Sequence, residues 1–257
     1  MDVESLAAQL LGARRNGGRI EVSTVASALD LAAAYKVQQR LLQNSDERPV
    51  GYKIGATTEV SMELLQLREP FHGPLFEPHC HRSGYQLSPP SEQQVLVEAE
   101  IAVQLGADLP PSLKGYTVEQ VSKSIAWIAP AIEVCSFRFC AELKGHGKLA
   151  IADGGINLDL VYGEPITDFG AFDLSNRSVS LQINGADVAS GNSSVLMRGH
   201  PFCLVAWLAN AKFLRGEGLR KGDLITTGSC TGLTAAKSGD LVSADFGELG
   251  RVELRLT

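Results

Sequence analysis

Two acidic residues lie two positions apart inside an apolar segment of this chain. Glu98 and Glu100 stand in Val95–Leu105, where Gln104 is the other polar residue. On a β-strand this spacing places both side chains on one face, with their Cα atoms about 7 Å apart. Two carboxylates this close repel each other unless a cation lies between them. For an isolated pair of this kind, the alternative interpretation is a solvated strand face.

A third carboxylate occurs in a second apolar segment. Glu133 lies within residues 128–134, where its neighbours are alanine, proline, isoleucine and valine. These neighbours indicate that both segments are buried, which weakens the solvated alternative. Buried carboxylates suit a hard divalent cation such as Mg²⁺ or Mn²⁺. The residues therefore indicate a metal site formed by Glu98, Glu100 and Glu133.

A lysine between two glycines is the other candidate for chemistry. Lys53 lies within residues 51–55, Gly-Tyr-Lys-Ile-Gly. The glycines would let a substrate approach the backbone closely. A lysine that is partly removed from water has a lowered pKa and can transfer protons. From the residues alone, an exposed lysine in a turn is the stronger interpretation.

The first third of the chain is predicted to be helical. A leucine-containing helix is expected to end at Gly17-Gly18, and a second helix is expected to begin at Asp30, a typical N-cap residue. After Pro49 the pattern changes, and residues 51–55 are predicted to form a short strand or a tight turn.

From about residue 84 the chain is predicted to consist mainly of strands with a few helices. Asn184-Gly185 is the expected two-residue turn of a hairpin over residues 178–190. Pro201 marks the start of a helix.

A capping box at Thr117 predicts a further helix, with Val121, Ile125 and Ile128 on one face. The predicted fold class is therefore α+β. A helical N-terminal part, residues 1–75, precedes a strand-rich catalytic part, residues 76–257.

Composition excludes several classes of function. The chain has 257 residues, of which 44% are apolar, so a substantial core can be buried. The net charge is -6 and no long basic run occurs, so nucleic-acid binding is not expected. The acidic N-terminus predicts no secretory signal, and no apolar stretch approaches the ~20 residues that span a bilayer. The five cysteines are scattered without a C-x-x-C pair, which favours a reduced, cytoplasmic protein.

Six parts of the chain form an ordered set of motifs. They are residues 34–38 (A-Y-K-V-Q), 51–57 (G-Y-K-I-G-A-T), 97–102 (V-E-A-E-I-A), 130–134 (P-A-I-E-V) with Arg138, 205–210 (V-A-W-L-A-N), and 219–223 (L-R-K-G-D) with 227–229 (T-G-S). This set resembles the fumarylacetoacetate hydrolase superfamily, specifically its 2-keto-4-pentenoate hydratase and 4-oxalocrotonate decarboxylase branch. The resemblance covers nearly the whole chain. It implies a mixed β-roll in the strand-rich part and a homo-oligomer that can associate with a related hydratase or decarboxylase.

The resemblance also implies an activity and a set of site residues. Mg²⁺ or Mn²⁺ held by the three glutamates would bind a small 2-oxo acid, and Lys53 would shuttle a proton. The expected reaction is addition of water to a 2-hydroxy-2,4-dienoate in the catabolism of aromatic or related compounds. A 2-oxo acid decarboxylase, an acylpyruvate hydrolase and a non-catalytic partner subunit remain alternatives. The residues expected to bind substrate are Gly55, Arg138, Thr227 and Ser229.

One segment departs from the hydratase pattern P-D-F-G-x-L. Residues 70–75 read Pro-Phe-His-Gly-Pro-Leu, so Phe71 stands where the pattern has an acidic residue. His72 is the candidate that would replace the missing acid or base, and a loop histidine without a catalytic role is the alternative. Further on, Glu77-Pro78-His79 replaces the pattern D-D-M, and residues 152–156 read Ala-Asp-Gly-Gly-Ile in place of A-D-N-A-S.

Overall fold

The structure, a computed structural model, describes residues 2–22, 29–90, 93–213 and 216–257. The helices are α1 (Val3–Asn16), α2 (Leu31–Asn44), α3 (Glu59–Leu65), α4 (Val118–Ser122), α5 (Gly147–Ala152) and α6 (Pro201–Phe213). The strands are β1 (Pro49–Gly55), β2 (Phe71–Phe76), β3 (Cys80–Arg82), β4 (Tyr85–Leu87), β5 (Val95–Leu105), β6 (Ile125–Cys135), β7 (Asn157–Tyr162), β8 (Ser178–Ile183), β9 (Ala186–Asn192), β10 (Leu224–Ser229), β11 (Thr234–Ala236), β12 (Leu241–Asp245) and β13 (Arg251–Leu256).

The end of the first helix and the start of the second fall at the predicted residues. Asp2 caps α1, and Gly17 ends it in the left-handed region with φ 73°. Asp30 caps α2 by accepting a hydrogen bond from the backbone N–H of Ala33. The helices pack against each other, and α2 also contacts α5. They form an apolar cluster with Phe71 and Phe76 of β2.

The larger sheet positions the candidate site residues. Its strand order is β2-β1-β10-β5-β6-β7-β3, and β11 pairs with β5. The pairing is mixed, because β1 runs parallel to β10 whereas β5 is antiparallel to both β10 and β6. The long strands β5 and β6 lie near the centre of the sheet and are almost wholly buried.

A second sheet supports the first. Its order is β4-β13-β12-β8-β9, and it contains the predicted hairpin, in which β8 and β9 flank Asn184-Gly185. Alternate residues Val252, Leu254 and Leu256 of β13 point into the main apolar cluster. That cluster also includes residues of β5, β6 and α6, so α6 and the second sheet cover the central strands. The α+β class and the mixed sheets with helices agree with the sequence prediction.

The helix predicted from Thr117 is much shorter than expected. The capping box is present, because the hydroxyl of Thr117 accepts from the backbone N–H of Gln120 and the Gln120 side chain accepts from that of Thr117. The helix nevertheless ends at Ser122, and Ile125 and Ile128 belong to β6. The prediction of one helical face through these residues was wrong. Pairing of β6 with β5 buries these isoleucines in the sheet, and this tertiary contact overrides the local helical spacing.

The first two strands link the helical part to the larger sheet. The expected boundary between residues 75 and 76 falls inside β2, and β1 lies between β2 and β10. The division of the chain into residues 1–75 and 76–257 stays a prediction. Within the described ranges, none of the helices combines the length and the apolar character needed to cross a membrane.

Candidate active site

Three carboxylates share one face of the β5–β6 pair. Glu98 lies directly opposite Glu133, and Glu100 lies opposite Ala131. Since side chains alternate along a strand and directly opposed residues share a face, Glu98, Glu100 and Glu133 all point to the same side. Their exposed fractions are 9%, 0% and 0%. Burial rules out a solvated strand face.

Lys53 reaches the carboxylates from β1. Its ammonium nitrogen lies 2.8 Å from Oε2 of Glu133, and its side chain is 2% exposed. It is a buried strand residue and not an exposed lysine in a turn. Gly155 leaves room for the lysine stem, because a Cβ at Gly155 would lie 2.7 Å from Lys53 Cδ. Gly155 therefore has a packing role.

Burial and mutual repulsion set the charge state of the cluster. Burial raises the pKa of Glu98 to about 7, against the lowering effect of the Lys53 ammonium. Burial, Glu133 and Glu98 raise the pKa of Glu100 well above its ordinary value. Burial lowers the pKa of Lys53, but Glu133 and the other acidic groups raise it by more, so the ammonium persists. The net shift is upward, and the lowered pKa expected from the sequence was therefore wrong for this cluster of carboxylates. With every carboxylate ionised, three negative charges face one positive charge.

The residues of this cluster fit a divalent cation. The surplus of two negative charges is what such an ion neutralises. Among the described residues, Oε1 of Glu100 is buried and has no hydrogen-bond partner. A buried carboxylate oxygen without a partner is costly unless it coordinates an ion. Carboxylate oxygens are the ligands that Mg²⁺ and Mn²⁺ prefer.

Neighbouring groups orient the carboxylates. Asn157 Nδ2 donates to Oε1 of Glu133 over 3.0 Å, and the backbone N–H of Gly228 donates to Oε2 of Glu100 over 2.8 Å. The hydroxyl of Ser229 lies near enough to Glu98 to lower the pKa of that carboxyl, and it accepts from the backbone N–H of Gly232. Asn157 was not predicted from the sequence, and Gly228 entered only as part of the motif at residues 227–229. The available signal for Asn157 was a polar residue at the start of a strand whose other charged or amide residue is Asp159.

Sequence analysis also missed Cys135. Its sulfur, a carboxylate oxygen of Glu98 and one of Glu133 all lie within 4.8 Å of one another. The signal was the spacing, since Cys135 follows Glu133 by two positions on β6 and therefore shares its face. Glu100 lies outside this compact group, so the structure brings two of the three predicted metal ligands together with a thiol.

Three predicted substrate-binding residues make contacts within the protein. The guanidinium of Arg138 pairs with Asp153 at 3.0 Å and donates to the backbone oxygen of Asn157, so it lies behind the cluster. The hydroxyl of Thr227 donates to the backbone oxygen of Ile101 over 2.8 Å, which ties β10 to β5. A Cβ at Gly55 would lie 2.4 Å from the ring of Phe71. Ser229, the fourth, is the one that contacts a glutamate of the cluster.

Phe71 and His72 lie on opposite faces of the β1–β2 pair. His72 is opposite Ile54, whereas Lys53 is opposite Gly73. His72 therefore points away from Lys53, and its ring packs against Tyr35 and Tyr52 at centroid distances of 5.1 and 5.9 Å.

This placement corrects both interpretations of His72. The residue is buried within β2, so it is not a loop histidine. Its register also turns it away from the face that carries Lys53, so its orientation does not support the predicted role as an acid or base. Phe71, opposite Gly55, has the orientation that the acidic residue of the hydratase pattern would need at this position. Its ring centre lies 5.9 Å from Nζ of Lys53.

Comparisons with known proteins agree with this fold. The chain is 30% identical to 2-hydroxyhexa-2,4-dienoate hydratase of Comamonas testosteroni, over 85% of this chain and 82% of that protein. It is 29% identical to 2-keto-4-pentenoate hydratase of Burkholderia vietnamiensis, over 99% of this chain and 97% of that protein. The structure of 4-oxalocrotonate decarboxylase from Pseudomonas putida G7, complexed with magnesium and adipate, matches with a TM-score of 0.89 and 26% identity, over 99% of this chain and 97% of that chain.

A family model described as the C-terminal domain of fumarylacetoacetate hydrolase matches residues 79–257. This match covers more than half of the chain, and it confirms the resemblance seen in the motifs. The chain belongs to the fumarylacetoacetate hydrolase family.

Proposed function

We propose that this protein is a metal-dependent hydratase that adds water to a 2-hydroxy-2,4-dienoate and forms a 4-hydroxy-2-oxo acid, in the catabolism of aromatic or related compounds. The observation that carries the proposal is the buried cluster of Glu98, Glu100, Glu133 and Lys53, with its surplus of two negative charges. The similarity to two dienoate hydratases supports the reaction. The magnesium bound by the similar decarboxylase supports the cofactor.

The metal would be Mg²⁺ or Mn²⁺, held by Glu98, Glu100 and Glu133. When bound, the cation supplies Lewis-acid polarisation of the 2-oxygen and carboxylate of the substrate. Asn157 keeps Glu133 in place, and the backbone N–H of Gly228 does the same for Glu100. Such fixed outer partners hold ligands in the geometry that an ion requires.

Lys53 is the group that moves a proton. The pair with Glu133 fixes its ammonium beside the carboxylates, where a substrate bound at the cluster would lie. The reaction forms C–H bonds at carbons 5 and 3 and a C–O bond at carbon 4. One water molecule supplies the 4-hydroxyl and one proton, and the 2-hydroxyl of the substrate supplies the other proton as it becomes the 2-oxo group. We assign to Lys53 the transfer of the proton that forms the C–H bond at carbon 5. A cation on the carboxylates would offset the charges that raise the pKa of Lys53, and its ammonium could then donate a proton.

Ser229 is the predicted substrate-binding residue that we place at the substrate. Its hydroxyl lies beside Glu98, where it can meet a substrate oxygen. The other three act as positioning residues. Arg138 supports the backbone of Asn157, Thr227 joins β10 to β5, and Gly55 admits the Phe71 ring.

Decarboxylation of a 2-oxo diacid is the second candidate. The observation that favours it is Phe71, which faces the site where hydratases carry an acidic side chain and which can handle neither water nor a proton. Loss of CO₂ requires the same electron-accepting site but no added water. The high structural similarity to a decarboxylase points the same way. An acylpyruvate hydrolase and a non-catalytic partner subunit would also keep parts of this site.

Parallel assays on one enzyme preparation distinguish these functions. The purified protein is supplied with Mg²⁺ or Mn²⁺, and loss of dienoate absorbance and release of CO₂ are followed with 2-hydroxydienoates and oxalocrotonate-like diacids. We expect dienoate loss that depends on the metal. CO₂ release without hydration would establish the decarboxylase instead. Cleavage of an acylpyruvate with neither activity would establish the hydrolase. Absence of both turnover and metal binding would favour the partner subunit, since a subunit with no chemistry has less need of an intact site.

The assembly and location form part of the same proposal. Family membership supports a homo-oligomer that can associate with a related hydratase or decarboxylase, and sedimentation as a monomer at micromolar concentration would refute it. The contacts of β12 and β13 with β6 support a description of the strand-rich part as a mixed β-roll. The cysteines, which are free thiols in the structure, support a cytoplasmic location, which fractionation of the native cells tests.

A further inference from the structure

The thiol of Cys135 lies on the same strand face as the carboxylates of Glu98 and Glu133. On β6 it follows Glu133 by two positions, and it pairs with Leu96, which precedes Glu98 by two positions on β5. All of these side chains share one face. The sulfur of Cys135 lies 3.8 Å from Oε1 of Glu98, and the residue is fully buried.

The group formed by Glu98, Glu133 and Cys135 has the dimensions of a metal site. Its three ligand atoms lie within 4.8 Å of one another. Bonds of about 2.3 Å to sulfur and about 2.0–2.2 Å to oxygen around one ion place the ligand atoms roughly 3.4–4.4 Å apart. Both oxygens of Glu133 already accept hydrogen bonds, but each carboxylate oxygen has a second lone pair for a cation.

Glu100 completes a second, overlapping group. One of its oxygens accepts from Gly228, and the other is buried without a partner among the described residues. Glu98 and Glu133 are thus common to two ligand sets. The third ligand is a hard carboxylate oxygen in one set and a soft sulfur in the other. Hard ions such as Mg²⁺ select the oxygen set, whereas thiolate selects softer ions.

We propose that Cys135 gives this metal centre a second ligand set, Glu98–Glu133–Cys135, which binds a thiophilic divalent cation such as Zn²⁺ or Cd²⁺ in competition with Mg²⁺ or Mn²⁺. The inference rests on the proposed metal centre. On binding, the S–H bond of Cys135 breaks, a metal–sulfur bond forms, and the proton leaves to solvent. The thiophilic ion then occupies the position that the catalytic ion needs. Which ion is bound therefore depends on the concentrations of both metals as well as on the ligands.

A Cd²⁺ titration of the purified full-length protein tests this inference. Direct bonding of sulfur to Cd²⁺ produces an ultraviolet charge-transfer band, which a site with oxygen ligands alone lacks. We expect the band in the wild type and its loss in Cys135→Ser, with Cd²⁺ affinity weaker by at least about tenfold, since even loss of an outer partner of a ligand costs ~10–100-fold. Mn²⁺ affinity, measured by calorimetry, should change much less.

Two other cysteines provide matched controls. Cys230 is buried like Cys135 but lies outside the compact group, and Cys140 is exposed and represents adventitious binding at the surface. Cys230→Ser and Cys140→Ser should keep the Cd²⁺ band of the wild type. A band that is lost in either of these variants and kept in Cys135→Ser would overturn the inference.

The failure of this inference and the failure of the proposed function give different results. If the wild type binds Mn²⁺ and Cys135→Ser keeps the full Cd²⁺ band, the second ligand set does not exist but the metal centre stands. If the wild type binds no Mn²⁺, the proposed centre itself fails. Should Cys135→Ser not fold, competition in the wild type decides. Excess Mn²⁺ should displace the Cd²⁺ band, because the two ligand sets share Glu98 and Glu133, and a band that Mn²⁺ leaves unchanged would overturn the inference.

Discussion

The β5–β6 pair and the β1–β2 pair each form one wall of the candidate site, and the two walls carry different side chains. On β5–β6 the site face carries three carboxylates and a thiol, namely those of Glu98, Glu100, Glu133 and Cys135. On β1–β2 the same side carries Lys53 together with Phe71 and glycines. The polar residue of β2, His72, faces the opposite side. One wall therefore concentrates charge, whereas the other holds a single ammonium in apolar surroundings.

This contrast explains how the single ammonium of Lys53 can interact strongly with a cluster of three carboxylates. Phe71 and the chain around Gly155 exclude water from the lysine stem, and the ammonium has Glu133 as its ion-pair partner. In such surroundings charge interactions are stronger than in water. A substrate bound between the walls would place its oxygens toward the carboxylates and its hydrocarbon end toward Phe71. The predictions below alter one wall at a time.

The largest effect is expected from the charged wall. Glu98→Gln removes a ligand that both proposed metal sets share, and kcat/KM should fall by at least about 10³-fold, because Lewis-acid stabilisation is worth several kcal/mol. Mn²⁺ binding measured by calorimetry should weaken in parallel.

Gln93→Glu is not a suitable control, because Gln93 accepts a hydrogen bond from Ser136 within the core. Glu119→Gln, on the exposed helix α4, is a suitable one and should leave both quantities unchanged. Normal Mn²⁺ affinity in Glu98→Gln would contradict the assignment of this wall.

Replacement of the ammonium should have the next largest effect. Lys53→Met keeps an unbranched stem as far as the ε position but removes the proton carrier, so kcat should fall by ~10²–10³-fold. Mn²⁺ affinity should not weaken, because loss of a positive charge leaves the cluster more attractive to a cation. Kinetics and calorimetry on the same preparation separate these effects. Near-normal kcat would restrict Lys53 to a structural ion pair, and Lys123→Met on the surface is the control.

The apolar wall can be altered at Phe71. Phe71→Asp introduces the acidic group of the hydratase pattern on the correct side, and Phe71→Asn has nearly the same volume without the charge. We expect Phe71→Asp to hydrate 2-hydroxypenta-2,4-dienoate at least about tenfold faster than Phe71→Asn, since acid–base groups contribute ~10²–10⁴-fold when well placed.

Both variants should lose unfolding free energy, at roughly 3–5 kcal/mol, because they remove a buried aromatic ring. Thermal unfolding with Mn²⁺ present measures this loss. Equal hydration rates in the two variants would show that the carboxylate at this place has no part in proton or water transfer.

The two walls also differ in how much of them the sequence predicts. The period of two along β5 and β6 places Glu98 and Glu100 on one face without any knowledge of the fold, and apolar neighbours indicate their burial. Which residue of β6 lies opposite which residue of β5 depends on register, and this tertiary fact brings Cys135 into the group. The bond from Asn157 to Glu133 likewise depends on how β7 pairs with β6.

In β2, by contrast, residue type was a poor guide to which side chain faces the site. His72 is the obvious replacement for a missing acid, but it is adjacent to Phe71, and adjacent residues of a strand face opposite ways. Helix ends were well predicted where local capping decides them, as at Asp30 and Gly17. The helix from Thr117 was overextended because pairing of β6 with β5 competes with helical spacing.

The smallest effect is expected at His72, and it is the sharpest test of the contrast between the walls. Because the ring packs between Tyr35 and Tyr52 on the far side of β1–β2, His72→Phe keeps an aromatic ring there and removes the titratable nitrogens. We expect kcat to change by less than about tenfold, below the ~10²–10⁴-fold loss typical of a general acid or base. The pH profile of kcat/KM should also keep its shape, since no group that faces the carboxylates is altered. A pH profile that loses one limb in His72→Phe, while Tyr52→Phe keeps both, would show that the histidine acts in catalysis despite its orientation.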